Sequence, residues 1–188
     1  RRSRGLGDVY KRQFLNKSES LYELGCGNGR DSIFFEKFGV NIVAFDQCKN
    51  EVEYLNKHYK TENLSFEEAD FTNLGERQLV AHIYSRFTLH SVNLEQEIRT
   101  LKWAYRALKE RGLFYIEIRS IHDELFGQGE ALTDNSFVTD HYRRFVEFDS
   151  FISRLETAGF KILYKIQSKG LAVYKSEDPI VIRVIVQK

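Results

Sequence analysis

Methionine is missing from all 188 residues, proline occurs once and cysteine twice. Cys26 and Cys48 cannot build a disulfide framework, and they stand in no spacing that holds a metal. No apolar run approaches the ~20 residues that cross a bilayer, and no hydrophobic segment of a secretion signal follows the basic start. These absences lead to the expectation of a chain without metal or membrane span, in a reducing cytoplasm. Internal repeats and low-complexity segments are also lacking, which argues against solenoid and disordered classes. With 42% hydrophobic residues, the chain has enough apolar material for one domain with an ample core.

The first thirteen residues, RRSRGLGDVYKRQ, show no hydrophobic periodicity and hold five Lys or Arg against one Asp. They read as a non-native leader, 1–13, ahead of a domain over 14–188 whose own N-terminus has been shortened. A native basic arm for nucleic acid is the competing reading. The leader contributes +4 to a formal total of +1, leaving −3 on the remainder. A protein that reads RNA needs a basic face, so this balance argues against nucleic acid as a partner.

The most informative stretch is LYELGCGNGRD, residues 21–31. An apolar run ends in an acid, glycines follow at every second position (Gly25, Gly27, Gly29), and helix formers come next. Glycine permits positive φ and close approach of a ligand to bare backbone, and the amides that open the helix offer donors. A dinucleotide fingerprint requires a further glycine three residues after Gly27, and that position holds Arg30. Glu23, two residues before the first glycine, suits a ligand with an ammonium and a sulfonium better than a pyrophosphate.

ELGCGNGRD resembles the first motif of the class I S-adenosylmethionine (SAM) dependent methyltransferases, and the resemblance runs from about Leu21 to the C-terminus. It implies an α/β, Rossmann-like fold with a seven-stranded, mostly parallel sheet closed by a C-terminal antiparallel hairpin, with SAM as cofactor. The residue pattern is compatible with that layout. Strands are expected at 41–46, 64–70, 80–85 and 112–120, with helices at 31–38, 51–59 and 94–109 between them at βαβ spacing. A helix over 148–158 then precedes strands at 161–167 and 180–187, whose connection is too short for a parallel crossover.

Asp46 ends the second strand 17 residues after Gly29, where a carboxylate can accept both hydroxyls of a ribose. Capping of the next helix is the alternative. By resemblance, Asp70 would bond the adenine amino group and Phe71 would border the ring; a turn cap and a core aromatic are the competing roles. Arg30 and Asp31 either reach the methionine part of SAM or solvate the first helical turn. The cofactor set implied is Glu23, Gly25, Cys26, Gly27, Gly29, Asp46, Gln47, Asp70, Phe71 and Ser85. Cys26 is expected as a small residue the turn tolerates, with no nucleophilic role.

The fourth strand ends in YSRFTLHSV, which faces the methyl group in this fold. Tyr84 and Phe87 could offer aromatic faces to the sulfonium. Arg86 would repel it unless a negative acceptor lies between them, so Arg86 suggests an anionic acceptor; a salt bridge within the protein is the alternative. The region from Arg119 to Arg144 is too long for a bare connector and concentrates Arg119, His122, His141, Arg143 and Arg144. Arginine forks suit carboxylate or phosphate, and a histidine can take a proton from a hydroxyl. These residues, with Arg86, form the expected acceptor set, and His141, Arg144 and Arg86 the expected catalytic set. His90 and His122 are further base candidates.

FGQGEALTDNSFVTDHYRRF and the ending GLAVYKSEDPIVIRVIVQK resemble small bacterial methyltransferases associated with capsule and surface-polysaccharide biosynthesis. That resemblance implies a small-molecule, sugar or sugar-linked phosphate acceptor. RNA methylation, a non-catalytic SAM-binding domain and a nicotinamide-dependent reductase are the other classes, the last disfavoured by Arg30.

Overall fold

The computed structural model describes residues 18–188, so the expected leader 1–13 lies outside the described residues. A seven-stranded sheet forms the centre. Its strands are β1 (Ser20–Leu24), β2 (Asn41–Asp46), β3 (Leu64–Glu68), β4 (Val80–Arg86), β5 (Leu108–Arg119), and, after three short strands introduced below, β9 (Lys161–Ser168) and β10 (Val181–Gln187). The spatial order is β3-β2-β1-β4-β5-β10-β9. The pairs among β1 to β5 are parallel, and β10 runs antiparallel to both β5 and β9. This is the expected α/β topology, with the hairpin inserted so that its second strand joins the sheet first.

Among the described residues four α-helices flank the sheet: α1 (Arg30–Glu36), α2 (Lys49–Tyr59), α3 (Leu94–Ala107) and α4 (Phe148–Thr157). Local chemistry explains where the longest begins. Asn93 accepts the Gln96 amide while the Gln96 side chain accepts the Asn93 amide, a reciprocal cap that satisfies two otherwise unpaired donors. Leu101, Ala104 and Ala107 recur along one side of the helix and are buried. The helix stops at Ala107, two residues before the expected end, because Leu108 already pairs with Val80. The turn expected at Arg111 and Gly112 is a bulge within β5: Val80 faces Leu108 but His82 faces Leu113, with Arg111 at φ 65°.

Alternation along the strands divides the core in two. Tyr22, Ile83, Phe114, Ile116, Ile182 and Val184 face α3 and α4, where Leu101, Phe151 and Leu155 meet them. Leu21, Ile42, Tyr84, Tyr115 and Ile185 face the other side, with Phe35, Val52 and Leu55. Each such large side chain removed from water stabilises the fold by about 1.5–3 kcal/mol. Both faces of β10 are covered, and Val181 to Val186 are all buried accordingly.

The long connection after β5 is not a bare loop. It folds into a small antiparallel sheet of β6 (Glu130–Ala131), β7 (Ser136–Val138) and β8 (Tyr142–Arg144). Phe126, Phe137 and Phe145 hold it down, with ring centroids 5.1 to 6.0 Å apart in edge contacts. This sheet stands beside the carboxyl end of β4.

Candidate active site

Gly25, Gly27 and Gly29 all adopt positive φ, at 67°, 51° and 69°. Their surroundings differ. A Cβ at Gly25 would collide with the Thr88 methyl, and one at Gly29 would approach Leu55 to 2.8 Å, whereas nothing lies within 4 Å of the position at Gly27. Two glycines therefore admit the protein's own side chains, and Gly27 presents open backbone. The Gly27 amide donates to Asp46 Oδ2 at 2.8 Å, and the Cys48 amide donates to Asp46 Oδ1 at 2.9 Å. Asp46 thus anchors the glycine loop and shapes the entry to α2, while remaining half-exposed. Gln47 beside it is exposed.

Asp70 is exposed and accepts the Thr72 amide at 2.8 Å. Phe71 is 6% exposed, packed into the core. Because β1, β2 and β3 are adjacent, the open glycine loop, Asp46 and Asp70 stand along one edge of the sheet. Bare backbone flanked by two accessible carboxylates fits a ligand with hydroxyl and amino donors.

Four residues of the expected cofactor and sulfonium set are more deeply placed. Glu23 is 4% exposed and accepts a hydrogen bond from the Ser32 hydroxyl. Burial, reinforced by the Asp31 charge, pushes its carboxyl up to about 8. Ser85 is fully buried on the α3 and α4 side with its hydroxyl unpaired, so its expected contact with cofactor is corrected: it offers no surface. Tyr84 is likewise buried, its ring edge-on to Phe35 at 5.0 Å and its hydroxyl donating to Asp31 at 2.9 Å, so it presents no aromatic face to a ligand. Cys26 is buried with its thiol pushed up by desolvation, in keeping with the absence of a nucleophilic role.

Arg86 is the clearest correction. Its guanidinium donates to Glu117 at 2.9 Å and to Asp31 at 3.3 Å, and Glu117 in turn accepts from Arg183 at 2.7 and 2.9 Å. Register makes Arg86, Glu117 and Arg183 direct cross-strand neighbours on β4, β5 and β10. The cation that pattern alone set against an acceptor is neutralised within the protein. The sequence analysis passed over Glu117 and Arg183, although a single charge inside each apolar run, LFYIEI and VIRVIV, was the available signal.

The acceptor set separates into two groups. Arg144 is 3% exposed; it pairs with Glu97 on α3 and donates to the Val92 carbonyl at 3.1 Å. Its expected catalytic and binding roles are corrected to a structural one, since no surface of it faces a ligand. His122 is exposed and forms no side-chain hydrogen bond among the described residues. Arg119, Arg143 and His141 gather near the β4 terminus instead. Arg119 pairs with Asp123 at 2.9 Å and lies 5.5 Å from the Phe87 ring centroid, which also faces Arg86 at 5.2 Å. Arg143 and His141 both meet Asp140, at 3.1 and 2.9 Å. A cavity of about 310 Å³ opens at Arg143, lined in part by Gln128, Phe137 and Thr139.

Sheet order, with a glycine turn after the first strand, defines an open, mostly parallel α/β domain. A family profile described as "Methyltransferase domain" matches residues 1–165, and the chain belongs to that family. It carries a class I SAM-dependent methyltransferase domain, whose cofactor is SAM. A SAM-dependent methyltransferase from Methanosarcina mazei superposes with a TM-score of 0.82 at 17% identity, covering 95% of this chain and 96% of that one. The 1,6-didemethyltoxoflavin-N1-methyltransferase of Burkholderia thailandensis, with its substrate and S-adenosylhomocysteine bound, gives 0.72 at 15% identity, covering 92% of this chain and 72% of that one. At such identities the likeness concerns the fold. The probable S-adenosyl-L-methionine-dependent methyltransferase TehB of Haemophilus influenzae is 30% identical over 63 residues, which span 34% of this chain and 22% of that protein. Among the described residues no helix is long and apolar enough to cross a membrane, and no cluster of three or more metal-ligating side chains occurs.

Proposed function

We propose that the chain transfers the methyl group of SAM to a small-molecule or sugar-linked anionic acceptor, in the cytoplasm and without nucleic acid as partner. The observation that carries this reading is the gathering of Arg119, Arg143 and His141 beside a turn that touches the cofactor loop. The Thr88 hydroxyl in that turn donates to the Leu24 carbonyl at 2.8 Å, next to Gly25. An acceptor bound by the cations would therefore lie against the strand end nearest the glycine loop. Capsule or surface-polysaccharide precursors, sugars bearing phosphate or carboxylate, are the acceptor class most in keeping with the motif resemblance and the arginines.

In this reading Gly27 and Asp46 hold the nucleoside, with Asp70 at the base, and SAM supplies a methyl group already activated on sulfur. The protein's own contribution is to orient the acceptor in line, to exclude water and to manage one proton. Arg119 and Arg143 orient the anion. Phe87 closes the space between them and the strand end.

Calorimetric titration of the chain with SAM, S-adenosylhomocysteine and NADH tests the cofactor assignment: binding of the first two and not the third is expected. A screen of sugar phosphates and uronic acids with methyl-labelled SAM tests the acceptor class. Methylation of RNA in the same screen, with none of the small acids, would overturn it.

A further inference from the structure

A second cavity, of about 490 Å³, lies between α3 and the chain from Thr72 to Leu79 that joins β3 to β4. It shares no lining residue with the glycine loop or with the cavity at Arg143. Its two walls are tied together in two places. The Trp103 indole donates to the Gly75 carbonyl at 2.7 Å, and Arg99 Nε donates to the Thr72 carbonyl at 2.9 Å. Leu74, Leu79, Trp103 and Ala107 supply apolar lining, and Leu79 is 52% exposed. Gly75, at φ 65°, leaves open space where a side chain would start.

Three arginines line this cavity, Arg77, Arg99 and Arg106, against one acid, Glu76. Helical spacing explains two of them, since positions 99, 103 and 106 place Arg99, Trp103 and Arg106 along one side of α3. Arg86, Arg119, Arg143 and Arg144 are each paired with a carboxylate. The arginines of this cavity keep unused donors instead. Arg106 has no hydrogen bond or ion pair among the described residues. Arg99 gives only its Nε, to Thr72, and Glu95 comes no nearer than 4.0 Å. Arg77 meets Glu67 at 2.8 Å through one terminal nitrogen and leaves the other free. A cleft lined mainly by one sign of charge concentrates ions of the opposite sign.

We propose that this cavity binds a small organic dianion, a phosphate or paired carboxylates on an apolar body, as a second ligand distinct from the methyl acceptor. Three cations less one acid leave a net charge of plus two for the ligand to match. Guanidinium forks suit both kinds of anion. A bare phosphate leaves most of the volume empty, whereas Leu74, Leu79 and Trp103 offer contact to a carbon frame. The site stands apart from the methyl-transfer reading, because none of its residues takes part in that reading.

Trp103 is the one tryptophan of the chain, so its fluorescence reports on this cavity. The full chain is titrated with phenyl phosphate, succinate and inorganic phosphate. Phenyl phosphate or succinate should give a saturable change, with a Kd at least about tenfold below that of inorganic phosphate. The two organic probes tell a phosphate requirement from a carboxylate one, and a response to either supports the proposal. Arg106→Gln removes a guanidinium that has no protein partner, so the variant should unfold at the native temperature and bind about tenfold more weakly. Arg99→Gln/Arg106→Gln should bind neither probe, and Arg143→Gln should respond as the native chain does. No saturable change with either organic probe, or a change that Arg106→Gln and the double variant leave as it was, overturns the proposal. Loss of the response in Arg143→Gln also overturns it, by placing the anion in the acceptor cavity. Equal affinity for inorganic phosphate would mark an adventitious ion only, and a response confined to an acidic peptide would make the cavity a groove for a protein partner; either result defeats the assignment.

Discussion

Asp46 Oδ2 accepts the amide of Gly27 at 2.8 Å across 19 residues of chain, so the end of β2 holds the glycine loop of β1 in its open form. The same carboxylate also bonds Cys48 at 2.9 Å, which ties the loop to the start of α2. One acid thereby sets the geometry of two strand ends.

Asp46→Ala should weaken SAM binding by ~1–3 kcal/mol, which is about 5- to 150-fold in Kd. Part of that loss comes from a loosened loop, so calorimetric affinity and thermal stability belong in one experiment. Unchanged affinity in a folded variant would remove Asp46 from the cofactor site.

The glycines of the loop should respond differently to alanine. Gly25→Ala sets a methyl group into Thr88 at φ 67° and should lower stability by about 2–4 kcal/mol. Gly27→Ala meets no protein atom within 4 Å, so its stability should fall by only about 1 kcal/mol while SAM affinity drops. Thermal unfolding and calorimetry on the two variants check the contrast. Equal loss of stability in both would mean that backbone conformation, and not contact with Thr88, decides.

Glu97, with no exposed surface, joins three elements: it sits on α3, accepts from Arg144 on β8, and accepts from Arg154 on α4 at 2.6 Å. Glu97→Ala leaves a buried guanidinium unpaired and should cost about 3–5 kcal/mol. Chemical denaturation reads this directly. A variant of native stability would mean that water or another acid takes over the pairing.

Glu23 should make stability depend on pH. Its carboxyl lies near 4.5 in the unfolded chain and is pushed up to about 8 in the fold. The folded state therefore binds more protons between these values, and stability should be greatest below the lower value and fall as pH rises toward the upper. At about 1.4 kcal/mol per unit the change amounts to several kcal/mol. Glu23→Gln should flatten that slope in denaturation series run from about pH 5 to about pH 8. His90 acts in the opposite sense, since its depressed pKa gives stability present above about 6.5 and lost as pH falls toward about 3.

Sheet, helix alternation and glycine turn were legible because each rests on local chemistry. Alternating glycines, a strand-ending Asp46 and apolar runs at βαβ spacing specify their own conformations within a few residues. The boundaries that shifted, at Ala107 and Leu108 and at the Arg111 bulge, depend on β4 as a partner strand. The acceptor region was legible only as a concentration of cations. Arg143 and Arg144 are consecutive in sequence, yet strand pleating sends one toward a surface cavity and the other into the core against Glu97. No spacing rule distinguishes them.

Pattern alone thus determined the α/β alternation and the place of the glycine turn, because glycine and a strand-end carboxylate act over a few residues of chain. Tertiary structure decided which charges remain available. Arg86 meets Glu117 across 31 residues, Arg183 meets it across 66, and Arg144 meets Glu97 across 47. A charge is neutralised by whatever lies within about 4 Å of it, and only the folded chain brings such distant residues that close.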